Sequence, residues 1–473
     1  MAKVFVSFLG IGANKKKPGY DEAEYNWPGK SDSSVKAHFA QTAILKILEE
    51  KADEKGPVDK VVFLCTKESK AKHLALLQEE LAEHLRTPLE PIVPEPLVPT
   101  DMSATNQWGW FEQLLQVVGQ DDTLIIDFTH GMRAVPIVFS STIAFLQRAK
   151  NVQLAHALYA WYDKDRTDAP HPIVDMREFY VINDWAEAVS RLTDDADARK
   201  LAELAESTDV EALRSLQDPA LIQAFEAMTD CIRNVDVNRV GQKVSNALER
   251  VEQARSQASG SAQVMLDLTR EKFGVLNAVT SGRYDMTYFR LQLEIIRILL
   301  EHRLFMQAYT AMRELLGSVG MAGLPEGEYS FCDLTNKKAR NYRVRFAEAF
   351  VGMLQTDKDE WNTPPSGQTS ASQRDAVRDR QTLKPWYEKL ERAGVITEKS
   401  RALVKEITKI RNGFDHAWTA QAGADGIEAK GHGHLECLTQ LVALLGEQNL
   451  LSTDAEEEKW LFLDITDGGM THE

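Results

Sequence analysis

With 473 residues, 43% of them hydrophobic, and a formal net charge of −16, the chain is long enough for two or three cores and too acidic overall for a coat-like nucleic-acid binder. Its four cysteines, Cys65, Cys231, Cys332 and Cys437, are scattered without a C-x-x-C pair, which argues against a disulfide framework or a cysteine-based zinc ribbon. No stretch reaches about 18 uninterrupted apolar residues, and the start MAKVFVSFLGIG carries one Lys and no small-residue cleavage site, so neither a membrane span nor a secretory leader is expected and the cytoplasm is the expected location.

Strand-like and helix-like segments alternate up to about residue 180. The apolar runs KVFVSFL (3–9), KVVFLC (60–65), TLIIDF (123–128) and VQLAHALYA (152–160) read as buried strands. Between them SVKAHFAQTAILKILEEK (34–51), SKAKHLALLQEELAEHL (69–85) and RAVPIVFSSTIAFLQRA (133–149) are long enough for helices. Near-continuous apolar strands joined by helical crossovers predict a parallel sheet covered on both faces. After Trp185 nearly everything has helical periodicity, broken at GLPEGEYSF (323–331) and NTPPSGQTSASQ (362–373). Charge is uneven: Asn336 to Arg411 holds 17 Lys and Arg against 10 Asp and Glu, either a local site for a polyanion or helix surfaces rich in arginine.

Three polar clusters fall at the carboxyl ends of predicted strands: GIGAN (10–14), TKES (66–69) and THGMR (129–133). In a doubly wound sheet ligands sit at that edge, where loops and helix N-termini converge. Glycine admits backbone N–H groups to an anion, hydroxyls and imidazole bond phosphate, ribose or base atoms, and Arg133 can pair with phosphate, so the set suits a nucleotide. The bland alternative is Thr129 as a helix cap, His130 as a turn histidine and Arg133 as surface. GIGANKKKPGY lacks the third glycine of a dinucleotide fingerprint, and no G-x-x-x-x-G-K-[ST] occurs.

FLGIGANKKKPGY followed by DFTHGMRAVP resembles the sensor domain of the CRISPR-associated DxTHG-motif proteins, a Rossmann-like CARF domain, with Asp127, Thr129, His130 and Gly131 as the D-x-T-H-G. The resemblance covers about residues 1–185. It implies an activator, a cyclic oligoadenylate made by type III CRISPR effectors, with cyclic tetra-adenylate favoured, bound across the two-fold axis of a homodimer. The implied ligand contacts are Gly10, Gly12, Asn14, Thr66, Lys67, Ser69, Thr129, His130, Gly131 and Arg133. The segment between Asn14 and Ser34, with KKKPGY and YNWPG, is long for this pattern and reads as a lid or an extra contact.

In the helical half KEITKIRNGFDHAW (405–418) contains Arg411, Asn412 and His416 as R-N-x-x-x-H, which resembles the R-x-x-x-x-H motif of HEPN ribonucleases. Leu403, Ile407, Ile410 and Phe414 form an apolar stripe, so the motif lies on or at the end of an amphipathic helix. On a continuing helix Asn412 and His416 share a face, and Arg411 lies about 140° from His416. The family's site is accordingly a composite of two copies, which a two-fold interface would supply. Guanidinium suits a charged phosphate and an imidazole of ordinary pKa about 6.5 suits proton transfer. The alternative is Arg411 paired with Asp415 at i, i+4. The resulting expectation is an α/β plus all-α chain: a CARF sensor over 1–185, a helical connector over 186–285 and a HEPN domain over 286–473. Its activity would be cleavage of single-stranded RNA, with no cofactor or metal besides the activator.

Three other readings compete. HGHLEC brings His432, His434 and Cys437 within reach of a metal without an evident fourth ligand. DGIEAK places Asp425, Glu428 and Lys430 in the order of magnesium-dependent PD-(D/E)xK nucleases, though in a Gly-rich loop between helices rather than on paired strands. A non-enzymatic regulator, binding duplex DNA or a protein through QRDAVRDRQTLKPWYEKL (373–390), is opposed by Pro385 and the interspersed Asp residues.

Overall fold

The structure is a computed structural model and describes residues 1–451 except 13–18, 30–33, 51–56, 102, 131–134, 164, 166–168, 208–209, 259, 279–281, 325–336, 364–369, 420–422 and 424. The chain forms two compact units, Met1–Asp184 and Trp185–Glu473.

The first unit is built on strands β1 (Lys3–Leu9), β2 (Ala23–Asn26), β3 (Val35–Ala37), β4 (Lys60–Cys65), β5 (Thr123–Asp127), β6 (Gln153–Ala160) and β7 (His171–Asp175), with helices α1 (Ala40–Glu50), α2 (Lys67–His84), α3 (Ala104–Val117) and α4 (Val135–Ala149). The sheet order is β3-β2-β7-β6-β5-β1-β4. Every residue of β1 is buried, as expected of a central strand sandwiched by crossover helices. Its side chains alternate: Val4, Val6 and Phe8 join Trp110 of α3 and Phe139 of α4 on one face, while Phe5 and Leu9 join Ile44 of α1 and Leu77 of α2 on the other.

The four predicted strands are present, and β1, β4, β5 and β6 run parallel. The wholly parallel sheet is a correction. β7 pairs antiparallel with β6 and β3 antiparallel with β2, so the sheet is mixed. The three extra strands are three to five residues long, too short for period-two alternation to stand out against the polar residues around them. SVKAHFAQTAILKILEEK, predicted as one helix, divides into β3 and α1.

The second unit is helical throughout its described residues. Helix α5 (Arg177–Asp195) leads into α6 (Arg199–Ser207), α7 (Pro219–Arg233), α8 (Val237–Arg255) and α9 (Gly260–Phe273). Then follow α10 (Met286–Glu301), α11 (Phe305–Ala322), α12 (Lys337–Gln355), α13 (Ser370–Arg392), α14 (Glu398–Asp415) and α15 (Ile427–Glu447). Asp218 caps α7 by accepting from the Ala220 N–H, with Pro219 at the first helical position. Helix α13 runs through Pro385, and the next residue, Trp386, donates its indole N–H to the Val319 carbonyl of α11 at 2.8 Å. Helix α11 packs against α10, α12 and α14. Its crossing with α12 depends on small residues: a Cβ added at Gly320 would lie 2.4 Å from Phe350 Cβ. Gly320→Ala is therefore expected to lower stability by about 2 kcal/mol through overpacking, read as an earlier urea midpoint at unchanged slope.

Candidate functional site

The described residues of the three polar clusters of the first unit lie at the carboxyl ends of the parallel neighbours β1, β4 and β5. Their framework is the buried carboxylate of Asp127, 0% exposed at the end of β5. Ser7, its direct partner on β1, donates its hydroxyl to Asp127 Oδ2 at 2.7 Å. Asp127 Oδ1 accepts from both the backbone N–H (2.9 Å) and the hydroxyl of Thr129. The Thr129 hydroxyl in turn accepts from the Ala160 N–H at 2.9 Å, joining β5 to β6. Burial pushes the Asp127 carboxyl above the usual range, and the hydrogen bonds from Thr129 and Ser7 oppose that shift. Thr129 thus locks the strand ends and holds the following His130 in place.

His130 stacks on Tyr20 with ring centroids 4.9 Å apart, and Tyr20 stacks on His73 at 5.1 Å. His73, fully buried on α2, accepts from the Gly19 N–H through Nδ1 at 3.1 Å. Its Nε2 therefore carries the proton and donates to the Ile11 carbonyl at 2.9 Å. One imidazole thereby joins both ends of the 11–19 segment. Gly10 and Gly12 fit this packing: a Cβ at Gly10 would lie 3.2 Å from both His130 Cβ and the Tyr20 hydroxyl, and Gly12 has φ +77° against the Tyr20 ring. Loss of water around the His130 ring, with His73 beside it, pushes the imidazole down to about 4. His130 is therefore neutral at pH 7.

Thr66 and Ser69 form a reciprocal capping box at the start of α2: Ser69 N–H donates to Thr66 Oγ1 at 3.1 Å and Thr66 N–H to Ser69 Oγ at 3.0 Å. Ser69 is fully buried and uses its hydroxyl in the capping box. Lys67, in the first helical turn, is exposed. Asn14, Gly131 and Arg133 lie outside the described residues. Tyr20 and His73 were not among the predicted contacts. Tyr20 stands in a polar insertion without periodicity, whereas His73, four residues after Ser69 on α2, shares the capped residue's face and offered that one signal.

In the second unit, α14 opens with another capping box, Thr397 with Ser400, and ends at Asp415. Val404, Ile407, Ile410 and Gly413 are its buried face, so Val404 takes the place predicted for Leu403. His416 is the C-cap, with its backbone N–H donated to the Asn412 carbonyl at 3.1 Å and its side chain exposed. The helix does not continue beyond it: Ala417 and Trp418 take φ +47° and +59°. Arg411 donates to Asn412 Oδ1 at 3.3 Å and forms an ion pair with Asp415 at 2.5 Å, the i, i+4 pairing set out as the alternative. The pair leaves Arg411 Nε without a hydrogen-bond partner among the described residues. Glu348 of α12 is bound by Arg313 of α11 at 2.7 and 2.5 Å, and these contacts, followed by the field of Arg411, hold its carboxyl low.

Much of the arginine excess serves helix packing: Arg345 forks onto buried Asp379 at 3.0 and 2.6 Å, and Arg343 reaches Glu314 at 2.6 Å. Of the predicted metal ligands, His434 is bonded instead to Tyr309 at 3.2 Å and Glu406 at 3.3 Å. Asp425 precedes α15, Glu428 pairs with Arg303 at 2.9 Å and Lys430 with Glu406 at 3.7 Å, with no paired strands among the described residues of this unit.

No protein-family model matches the chain. It is similar to a CRISPR-associated protein of Methanocaldococcus jannaschii, 25% identical over 264 residues, a match covering 46% of this chain and 40% of that protein. The match thus spans about two-fifths of the relative's length. Among solved structures it is similar to Enterococcus italicus Csm6 bound to cyclic hexa-2'-fluoro-hexa-dAMP, with 10% identity, a TM-score of 0.43 and 97% of each chain covered.

Two outcomes follow from the geometry of the sheet edge. Asp127→Ala strands the Ser7 hydroxyl and both Thr129 donors, and is expected to cost about 3 kcal/mol in denaturant unfolding. His130 has a folded pKa below its ordinary 6.5, so the unfolded chain binds the extra proton first. Its contribution is complete above pH 6.5 and is lost as pH falls toward 4. Thermal unfolding across that window should show a shallower loss for His130→Phe than for the wild type.

Proposed function

We propose that the chain is a cyclic-oligoadenylate-activated endoribonuclease of type III CRISPR defence, with a CARF sensor as its first unit and a HEPN nuclease in its helical half. The observation that carries the reading is the convergence of Gly10, Gly12, Thr66, Lys67, Thr129 and a neutral His130 at one sheet edge, on a D-x-T-H-G framework. A neutral imidazole and the first-turn N–H groups of α2 suit the hydrogen-bonding groups of a nucleotide. The likeness to a CRISPR-associated protein supports the same setting.

The reaction needs few groups. The ribose 2′-oxygen forms a bond to the adjacent phosphorus as it loses its proton, the bond to the 5′-oxygen breaks, and that oxygen takes up a proton. Arg411 stabilises the charge that builds on the phosphoryl oxygens, His416 moves or positions a proton, and Asn412 orients Arg411 through the 3.3 Å contact. An exposed His416 just past the helix end and a half-buried Arg411 suit a composite site shared by two chains. Exposed aromatic rings support a second copy: Trp108 (64% exposed) meets Phe111 at 5.5 Å, and Phe111 meets Phe145 (46% exposed) at 5.2 Å. Activation works through the activator's differential affinity for the competent state.

The test is cleavage of a single-stranded RNA in EDTA, with cyclic tri-, tetra- and hexa-adenylate supplied separately. The expected result is cleavage with one ring, reduced at least about 100-fold in Arg411→Ala and His416→Ala. Undiminished cleavage by either variant contradicts the assignment. Activity that appears only with magnesium moves the chemistry to another site.

A further inference from the structure

Tyr20 lies at the centre of the sheet-edge site yet has a hydroxyl with no assigned use. Two imidazoles stack on its ring, His130 at 4.9 Å and His73 at 5.1 Å, and the edge of Phe39 meets it at 5.2 Å. The phenolic oxygen takes no part in these contacts.

That oxygen is out of contact with solvent and has no hydrogen-bond partner among the described residues. Leaving a buried hydroxyl unpaired costs about 1–3 kcal/mol, and phenylalanine would fill the same stack without that cost. The hydroxyl sits against Gly10, where an added Cβ would lie 3.2 Å from it, beside Gly12 in its left-handed conformation.

We propose that Tyr20 is a ligand-binding residue of the sensor, its hydroxyl donating a hydrogen bond to an anionic phosphate oxygen of the cyclic oligoadenylate. Burial raises the phenol well above its ordinary pKa of 10, so it remains a donor at any working pH. A phosphate oxygen is a fitting acceptor for a phenolic O–H, and α2, whose buried His73 stacks on the ring, begins with the exposed cation Lys67. The stack on two imidazoles fixes the ring, so the hydroxyl is preorganised for its acceptor.

The inference rests on the oligoadenylate reading, and the full-length chain tests the two separately. Calorimetric titration with cyclic tri-, tetra- and hexa-adenylate establishes which ring the wild type binds; the same ring is then titrated into Tyr20→Phe, and both proteins are melted without ligand. The expected result is binding weakened about tenfold or more in Tyr20→Phe, with a ligand-free melting temperature equal to or above that of the wild type. Affinity within twofold of the wild type overturns the role of the hydroxyl while leaving the sensor reading intact. A lower melting temperature accompanying the weaker binding overturns it too, because the hydroxyl would then be structural. Failure of the wild type to bind any of the three rings overturns the sensor reading and this inference together.

Discussion

A carboxylate without solvent contact is the constraint on which the sheet edge depends. Asp127 is held between the hydroxyl of Ser7 on β1 and two donors of Thr129, whose own oxygen is bonded to the backbone of β6. Gln41 of α1 extends the network by donating to Ser7 Oγ at 3.2 Å and to the Phe8 carbonyl at 2.9 Å. Three strands and one helix are thereby tied to one buried group, and a buried polar network of this kind is rigid only when its members are satisfied. The residue after Thr129, His130, stacks on Tyr20 beside this network, and burial of its ring favours the neutral imidazole.

The helical site has a different logic. Arg411 is neither a free cation nor fully engaged: Asp415 holds one end of its guanidinium, Asn412 touches it, and Nε has no partner among the described residues. In the proposed reaction a phosphate would compete there with Asp415, and an i, i+4 ion pair about one-third exposed is a weak competitor. The helix end adds a second constraint. With Ala417 and Trp418 in left-handed backbone, His416 stands on a turn closed by Trp418 N–H bonding to the Gly413 carbonyl at 2.7 Å, and the Trp418 ring packs edge-on against Phe414 at 5.3 Å. The imidazole is thus presented on a braced corner rather than along a helix face.

How much of this was legible in the sequence depended on periodicity. Strands β1, β4, β5 and β6 are long apolar runs, and their bounds agree with the sequence reading to within a residue or two. Strands β2, β3 and β7 were missed because a short edge strand among polar residues carries little pattern of its own. The D-x-T-H-G cluster begins at the end of β5, where the partners of its side chains come from other elements. Thr66, Ser69 and Thr129 use their hydroxyls on capping and on Asp127, roles invisible until the partners are brought together in space. His73 and Tyr20, far apart in sequence from His130, join it only through the fold. In the helical half, apolar periodicity marks α14 as an amphipathic helix, with Val404 in place of Leu403 on its buried face, while the angle drawn from Arg411 to His416 assumes a helix that in fact ends at Asp415.

In the proposed mechanism a nucleotide bound at the sheet edge switches on attack by a ribose 2′-oxygen at Arg411 and His416. The most direct measurement is mass spectrometry of the end groups of a short RNA incubated with the chain in EDTA, with and without the activating ring. Fragments ending in 2′,3′-cyclic phosphate and beginning with 5′-hydroxyl, produced only when the ring is present, are the predicted result. Fragments bearing 3′-hydroxyl and 5′-phosphate, or identical products without the ring, would contradict it.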